Sequence, residues 1–354
     1  MSDQRQGQLS RVVIKGFKSI KDCDLELKNI NVLIGSNGAG KSNFLSVFEL
    51  LQYISEQNLL MYGKKKGANT LFYNGVKATD IIFIKCYFGE TDIVSYEIGI
   101  SENDSLFFYD NHTSLCDSLR VCEEYHDDNT YVAKEHQWSI YHFIDTSTTA
   151  KVKLTSHASN SIMLKKDASN LAPFLFRLKL NYPDVYRNII WTVQMIAPYF
   201  KDFVLEPEEE NPELILLRWQ QKDCEDVFYA SHLSDGTLRF ICLATLLLQP
   251  SKIQPDIIII DEPELGLHPF AITIFAELVK KAAVNKQIIL STQSAELLNH
   301  FEPEDVVVVD KTENGSDFKR IYDRLTPEQL ADWLDDYSLG ELWNKNIFGG
   351  RFAR

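Results

Sequence analysis

The stretch Asn31–Leu51, "NVLIGSNGAGKSNFLSVFELL", decides how the rest of the chain is read. An apolar run ends at Ile34, glycines stand at 35, 38 and 40, and a helical apolar pattern resumes after Lys41. Gly35-Ser36-Asn37-Gly38-Ala39-Gly40-Lys41-Ser42 fits G-x-x-x-x-G-K-[ST] between a strand and a helix. Glycines let backbone N–H groups converge on a phosphate that Cβ atoms would hold off, and the helix N-terminus adds its dipole to the same anion site. The pattern predicts a nucleoside triphosphate loop, extending through Asn43. Lys41 is expected to reach the β- and γ-phosphates, and the Ser42 hydroxyl to ligate Mg²⁺.

A second motif completes that chemistry. "IIIIDEPELGLHP" (257–269) is an apolar strand ending in two carboxylates. Asp261 is expected to hold a metal-bound water and Glu262 to act as general base on the attacking water. A capping acidic pair at a strand end is the bland alternative, and the glycine loop weakens it. A third motif, "HLSDGTLRF" (232–240), opens a helix just before that strand. Taken by itself, Ser-Asp-Gly before a helix is an ordinary N-cap.

Bulk properties bound the class. With 354 residues and 45% hydrophobic residues the chain supplies a globular core. It carries no apolar run of the roughly 20 residues a membrane span needs, and "MSDQRQGQLSR" lacks a signal-peptide core. Six cysteines without metal-ligand spacing suit a reducing cytoplasm, where we expect the protein. The net charge of −14 argues against an all-round basic surface but leaves room for a local basic face.

Along the chain, "SRVVIKGFKSI" and "DCDLELKNINVLIG" read as strands leading into the loop, and a helix is expected from Ser42 to about Tyr62. "YGKKKGANT" reads as an exposed loop, and 80–166 as mostly β. Two helices (170–180 and 183–200) and a hairpin of "DFVLEP" with "ELILLRWQ" follow. From Ser231 helix and strand alternate: "SDGTLRFICLATLLL", "DIIIID", "PFAITIFAELVKKAAV", "QIILST", "SAELLNHF" and "DVVVVD". Unbroken Ile/Val runs are what a parallel sheet covered on both faces requires, so the class is α/β.

Taken together, "IKGFKSIKDCDLELKNINVLIGSNGAGKSN" (14–43), the Leu233–Thr237 pentapeptide and "DEPELGLHP" resemble the RecF/SMC/OLD branch of ABC-type ATPases, often called simply AAA family ATPases. The pentapeptide resembles the LSGGQ signature, with Asp235 for the first Gly and Thr237 for the Gln. The resemblance implies an ABC-type head: a P-loop core sheet, an N-terminal antiparallel β part, an inserted α+β lobe and no long coiled coil. On this basis we expect residues 1–90 to hold the P-loop part, 91–230 the insert, 231–310 the signature, Walker B and switch, and 311–354 a C-terminal extension.

The resemblance further implies ATP with Mg²⁺ and a head-to-tail homodimer, while the departure from it at Gln293 points to slow or partner-regulated hydrolysis. In that dimer Ser234, Asp235 and Gly236 of one copy complete the site of the other. Lys18 lies in the turn where the branch places a basic residue against the nucleotide, though a plain surface lysine fits as well. His268 belongs either to the dimer seam or to an ordinary helix start. Gln293 in "STQS" stands where many relatives have a histidine; glutamine orients a water but takes up no proton at neutral pH. No Q-loop glutamine can be placed.

The expected function is an ATP switch controlling a separate nuclease (TOPRIM-like or HNH) or a DNA-associated effector in anti-phage defence. A RecF-like repair ATPase is the alternative, and a transporter subunit is a weaker one. Lys64, Lys65 and Lys66 are the densest basic run and a candidate DNA contact. "DDYSLGELWNKNIFGGRFAR" (335–354) is the candidate partner surface, through Leu339, Leu342, Trp343, Ile347 and Phe348, unless that apolar face docks on its own core.

Overall fold

The computed structural model describes residues 8–89, 92–109, 138–143, 145–147 and 149–350. Strands β1 (Leu9–Phe17), β2 (Ile20–Glu26) and β3 (Ile30–Ile34) precede helices α1 (Lys41–Ser55) and α2 (Leu59–Lys66). Then come β4 (Ile82–Phe88), β5 (Asp92–Ile100), β6 (Leu106–Phe108), β7 (Trp138–Tyr141) and β8 (Ser156–His157). Helices α3 (Leu171–Asn181) and α4 (Pro183–Ile196) lead to β9 (Phe200–Val204), β10 (Leu214–Ile215), β11 (Arg218–Gln221) and β12 (Val227–Tyr229). The remainder is α5 (Asp235–Leu248), β13 (Ile257–Asp261), α6 (Pro269–Ala283), β14 (Gln287–Thr292), α7 (Ala295–Leu298), β15 (Val306–Thr312), β16 (Gly315–Arg320), α8 (Pro327–Leu334) and α9 (Leu339–Asn344).

Two compact units divide this list: Met1–Ile140 with Gln287–Arg354, and Tyr141–Lys286. The first holds an antiparallel sheet in the order β2-β1-β4-β5-β6. Along β4 Ile82, Ile84, Cys86 and Phe88 point inward, the period of a sheet with one buried face. The same unit places β3 between β14 and β15, parallel to both, with β16 antiparallel on the outer side of β15. Val306, Val307, Val308 and Val309 are all fully buried, as parallel strands covered on both faces must be. Asn31, also fully buried, donates to Lys28 O and accepts from Lys28 N and Arg320 Nη2, so its amide is satisfied inside the sheet.

In the second unit β9, β11 and β12 form a sheet in the order β12-β11-β9, and α5 is buried nearly all round against α4 and α6. A helix apolar on every face is a core helix. Among the described residues the longest helices have 15 residues, so no long coiled coil is present, and no described helix is long and apolar enough to cross a membrane.

Several local expectations are corrected. The helix after the glycine loop stops at Ser55, because Gln57 takes a left-handed conformation (φ 57°). "YGKKK" belongs to α2 rather than to a loop; Lys64, Lys65 and Lys66 form its last turn, where cations suit the helix dipole. Within 151–166 only Ser156–His157 is strand. "DFVLEP" and "ELILLRWQ" are not a simple hairpin: Phe203 pairs with Trp219, while Leu214–Ile215 turns away to pair with β8. Chain 110–137, part of the expected β stretch, lies outside the described residues. A further strand, β16, follows "DVVVVD".

The 335–350 segment docks on its own unit. Leu342, Trp343 and Phe348 are buried, at 0%, 6% and 2% exposure, which removes them as a partner surface. Each contributes on the order of 1.5–3 kcal/mol by leaving water. Helix α9 packs on α7, with Gly340 N donating to Asn299 Oδ1 at 2.7 Å. A Cβ on Gly340 would lie 2.2 Å from Ala295 O. Gly340→Ala should therefore destabilise the fold by about 1–3 kcal/mol, read as a lower thermal midpoint than that of an exposed-site control such as Lys345→Ala. Equal midpoints would mean that the segment is not docked.

Candidate nucleotide site

The glycine loop leaves the end of β3 and enters α1 with its backbone held at two close approaches. A Cβ on Gly35 would lie 2.4 Å from Val309 O, and one on Gly40 would lie 2.0 Å from Ser316 Oγ. Gly40 also has φ 120°, and Gly38, which meets nothing within 4 Å, has φ 77°. Glycine is thus required for space at 35, for conformation at 38 and for both at 40. Ser316 accepts a second role: its Oγ lies 2.7 Å from Ser19 Oγ, which in turn accepts from Asn43 Nδ2 at 2.7 Å. Strand β16 therefore braces the loop from beside it.

Gly40 caps α1 without a side-chain hydrogen bond, and the N-terminal end of such a helix suits an anion. Lys41 is buried, and its Nζ donates to Gly35 O (2.7 Å) and Ser36 O (3.2 Å), holding the cation at the head of the loop. Ser36, Asn37, Gly38 and Ser42 line the outer side, Asn37, Gly38 and Ser42 exposed and Ala39 buried. Gln293 follows Thr292, which pairs with Ile34, so the register sets Gln293 level with Gly35 at the carboxyl end of the sheet. Lys18 (φ 49°) turns its Nζ onto Ser46 Oγ at 2.8 Å; burial, with the Lys66 charge nearby, lowers its pKa.

The second unit carries the other motifs. Ser234 is the N-cap of α5, its Oγ accepting from Thr237 N at 3.1 Å, and Asp235 lies 3.6 Å from Lys153 Nζ. Gly236 passes so close to the 264–267 turn that a Cβ would lie 2.3 Å from Gly266 O. His268 is exposed and caps α6, its Nδ1 accepting from Phe270 N at 3.3 Å. Asp261 ends β13 and Glu262 follows it. Glu262 has φ 45°, an uncommon conformation for a residue with a side chain and one that clusters at functional sites.

Two residues here escaped the sequence reading. Arg239 donates from Nε to Phe143 O (2.8 Å) and from Nη1 to Leu265 O, tying the signature helix to the turn after Glu262. Burial lowers its pKa. An arginine inside the apolar run "LRFICLATLLL" was the available signal. His142 Nδ1 stands 3.8 Å from Asp261 Oδ2. No local pattern links residues so far apart in the chain.

The donor chemistry suits Mg²⁺. Asp261 Oδ1 is buried without a hydrogen-bond partner among the described residues, an oxygen suited to a metal or its water. No group of three or more His, Cys, Asp or Glu forms a cage among the described residues. Mg²⁺ needs no such cage, since it keeps waters and phosphate oxygens around one or two protein ligands.

Arg239→Met should keep the aliphatic stem but strand two carbonyls, lowering stability by about 1–3 kcal/mol in a denaturant titration. An unchanged midpoint would remove Arg239 as the tie between helix and turn.

Residues 30–299 match the family described as "AAA domain, putative AbiEii toxin, Type IV TA system". Sequence comparison with characterised proteins finds no match. Among solved structures, an Smc head bound to the C-winged helix domain of ScpA superposes with a TM-score of 0.61 at 15% identity, over 92% of this chain and 99% of that one. The SMC head domain from Thermotoga maritima gives 0.51 at 14%, over 88% and 98%. An Smc head with an extended coiled coil, bound to the C-terminal domain of ScpA derived from Pyrococcus furiosus, gives 0.56 at 14%, over 93% and 98%. At these identities the likeness is one of fold. The chain belongs to the AbiEii-type AAA domain family, and its fold is that of SMC head domains.

Proposed function

We propose that the protein is an ATP-driven switch that binds Mg²⁺-ATP, closes as a head-to-tail homodimer, and controls a separate effector, in anti-phage defence. The observation that carries this reading is the loop Gly35–Ser42: a glycine backbone held in left-handed geometry, a buried lysine at its head and an uncapped helix N-terminus behind it. That combination suits a compact anion such as a phosphate group.

In the proposed reaction the amides of Gly38–Ser42 and the α1 dipole bind the phosphates, and Lys41 moves from the loop carbonyls onto phosphate oxygens. Ser42 and Asp261 are the oxygen ligands we assign to Mg²⁺, which when bound neutralises charge on the transferring phosphoryl group. Glu262 takes the proton of the attacking water, and Gln293 orients that water without a proton of its own to exchange. Hydrolysis is therefore slow unless a partner assists. Ser234 and Gly236 supply the N-terminus of α5 to a second copy's triphosphate.

The effector is proposed to be another polypeptide, a nuclease of TOPRIM-like or HNH type. Support for a docked partner comes from the fold relatives that are Smc heads bound to ScpA domains. DNA bound at the lysine run is less well supported, because Lys65 and Lys66 lie 3.9 and 2.9 Å from Glu49 carboxylate oxygens.

Glu262→Gln should bind ATP, lose hydrolysis by about 10²-fold or more, and sediment as a dimer with ATP but not with ADP. Wild-type turnover in this variant would remove Glu262 as the base, and a monomer at high protein and ATP concentration would overturn the composite-site reading.

A further inference from the structure

Beside the glycine loop lies a segment that the motifs do not account for. Gly350 O accepts from Ser36 N at 2.7 Å, so a residue distant in sequence holds the second amide of the loop. Gly350 N in turn donates to Asp310 Oδ1 at 2.6 Å. Asp310 stands on β15 one residue past Val309, whose carbonyl already abuts Gly35. Arg324 closes the arrangement: it pairs with Asp310 Oδ2, donates to Phe348 O at 3.3 Å, and lies 3.4 Å from Asp317.

The backbone of this segment is built for the contact. Gly349 and Gly350 have φ 85° and 87°, conformations that L side chains rarely adopt. A Cβ on Gly349 would lie 2.5 Å from Arg324 Nη1 and 2.8 Å from Asp310 Oδ2; one on Gly350 would lie 3.0 Å from Trp343 Nε1. Phe348 is buried and anchors the approach. Consecutive glycines, a buried anchor and a charged clasp on Gly350 N and Phe348 O are more than a segment resting on a surface needs.

We propose that Phe348–Gly350 is a strap that positions the nucleotide loop, with Asp310 and Arg324 as the positioning residues that hold it. The strap fixes Ser36, the point where the loop departs from β3, and so sets the direction in which the amides after it face. Because coupling between two sites is reciprocal, ATP bound in the loop must favour the docked strap by the same factor with which the strap favours ATP. The segment is thereby a lever: whatever displaces it weakens ATP binding without touching a phosphate. This rests on the nucleotide reading above.

The test uses the full-length chain. Gly350→Pro removes the N–H that Asp310 holds and cannot take a positive φ. It should weaken Mg²⁺-ATP about five- to tenfold, the range of one main-chain hydrogen bond, and speed amide exchange in the peptide covering Gly35–Lys41. Arg324→Lys should fall between this variant and wild type, and Arg324→Met should approach it. In wild type, saturating ATP should slow exchange in the peptide covering Phe348–Gly350. That measurement needs no variant and decides the matter should Gly350→Pro lack a cooperative melt. Affinity within twofold of wild type together with unaltered exchange in the loop, or wild-type exchange at 348–350 indifferent to ATP, would overturn the strap. Failure of wild type to bind ATP at all would instead sink the nucleotide reading, and the wild-type titration tells the two apart.

Discussion

The backbone contact between Gly35 and the carbonyl of Val309 is the constraint on which the rest of the first unit depends. Two parallel strands can approach this closely at their carboxyl ends only where one side lacks a Cβ, and the loop turns out of the sheet at that point. The second contact, Gly40 against Ser316, sets where the helix begins. Between them the loop has little freedom, so the amides at the head of α1 are oriented before any ligand arrives. Preorganised dipoles are what an anion site needs, since no binding energy is then lost to ordering the loop.

The second unit follows the same logic with a different clasp. Its apolar strand β13 delivers Asp261 and Glu262, and the turn beyond them runs against the signature helix at Gly236. Arg239 fastens that turn through the carbonyls of Phe143 and Leu265. The left-handed Glu262 stores strain at the position assigned to the base.

How much of this was legible in the sequence depended on what each feature is made of. Loop, signature and Walker B strand were readable because glycine spacing and unbroken Ile/Val runs have few other uses. Strand β16 was not: "GSDFKR" is polar and buries only Ser316 and Phe318, so it carries no apolar run, yet it braces Gly40. The break after Ser55 escaped because Gln57, not glycine, takes the left-handed turn. The three lysines read as a loop because their charge suggested solvent, whereas Glu49 and the end of α2 draw them into structure. In the 335–350 segment the apolar pattern was visible, but whether it faced a partner or its own core is a tertiary fact. Arg324, Asp310 and Gly350 meet only in the fold.

The account stands on one claim, that Gly35–Ser42 is a preformed triphosphate cradle with Lys41 as its charge. Calorimetric titration of ATP with Mg²⁺ into the wild-type chain and into Lys41→Ala tests it most directly. The account predicts saturable binding near one ATP per chain for wild type, and for Lys41→Ala a loss of affinity of about 10²-fold or more, in line with removal of one charged hydrogen-bonding partner from a buried anion. Wild type that takes up no ATP at millimolar concentration, or a Lys41→Ala chain that binds as tightly, would contradict it.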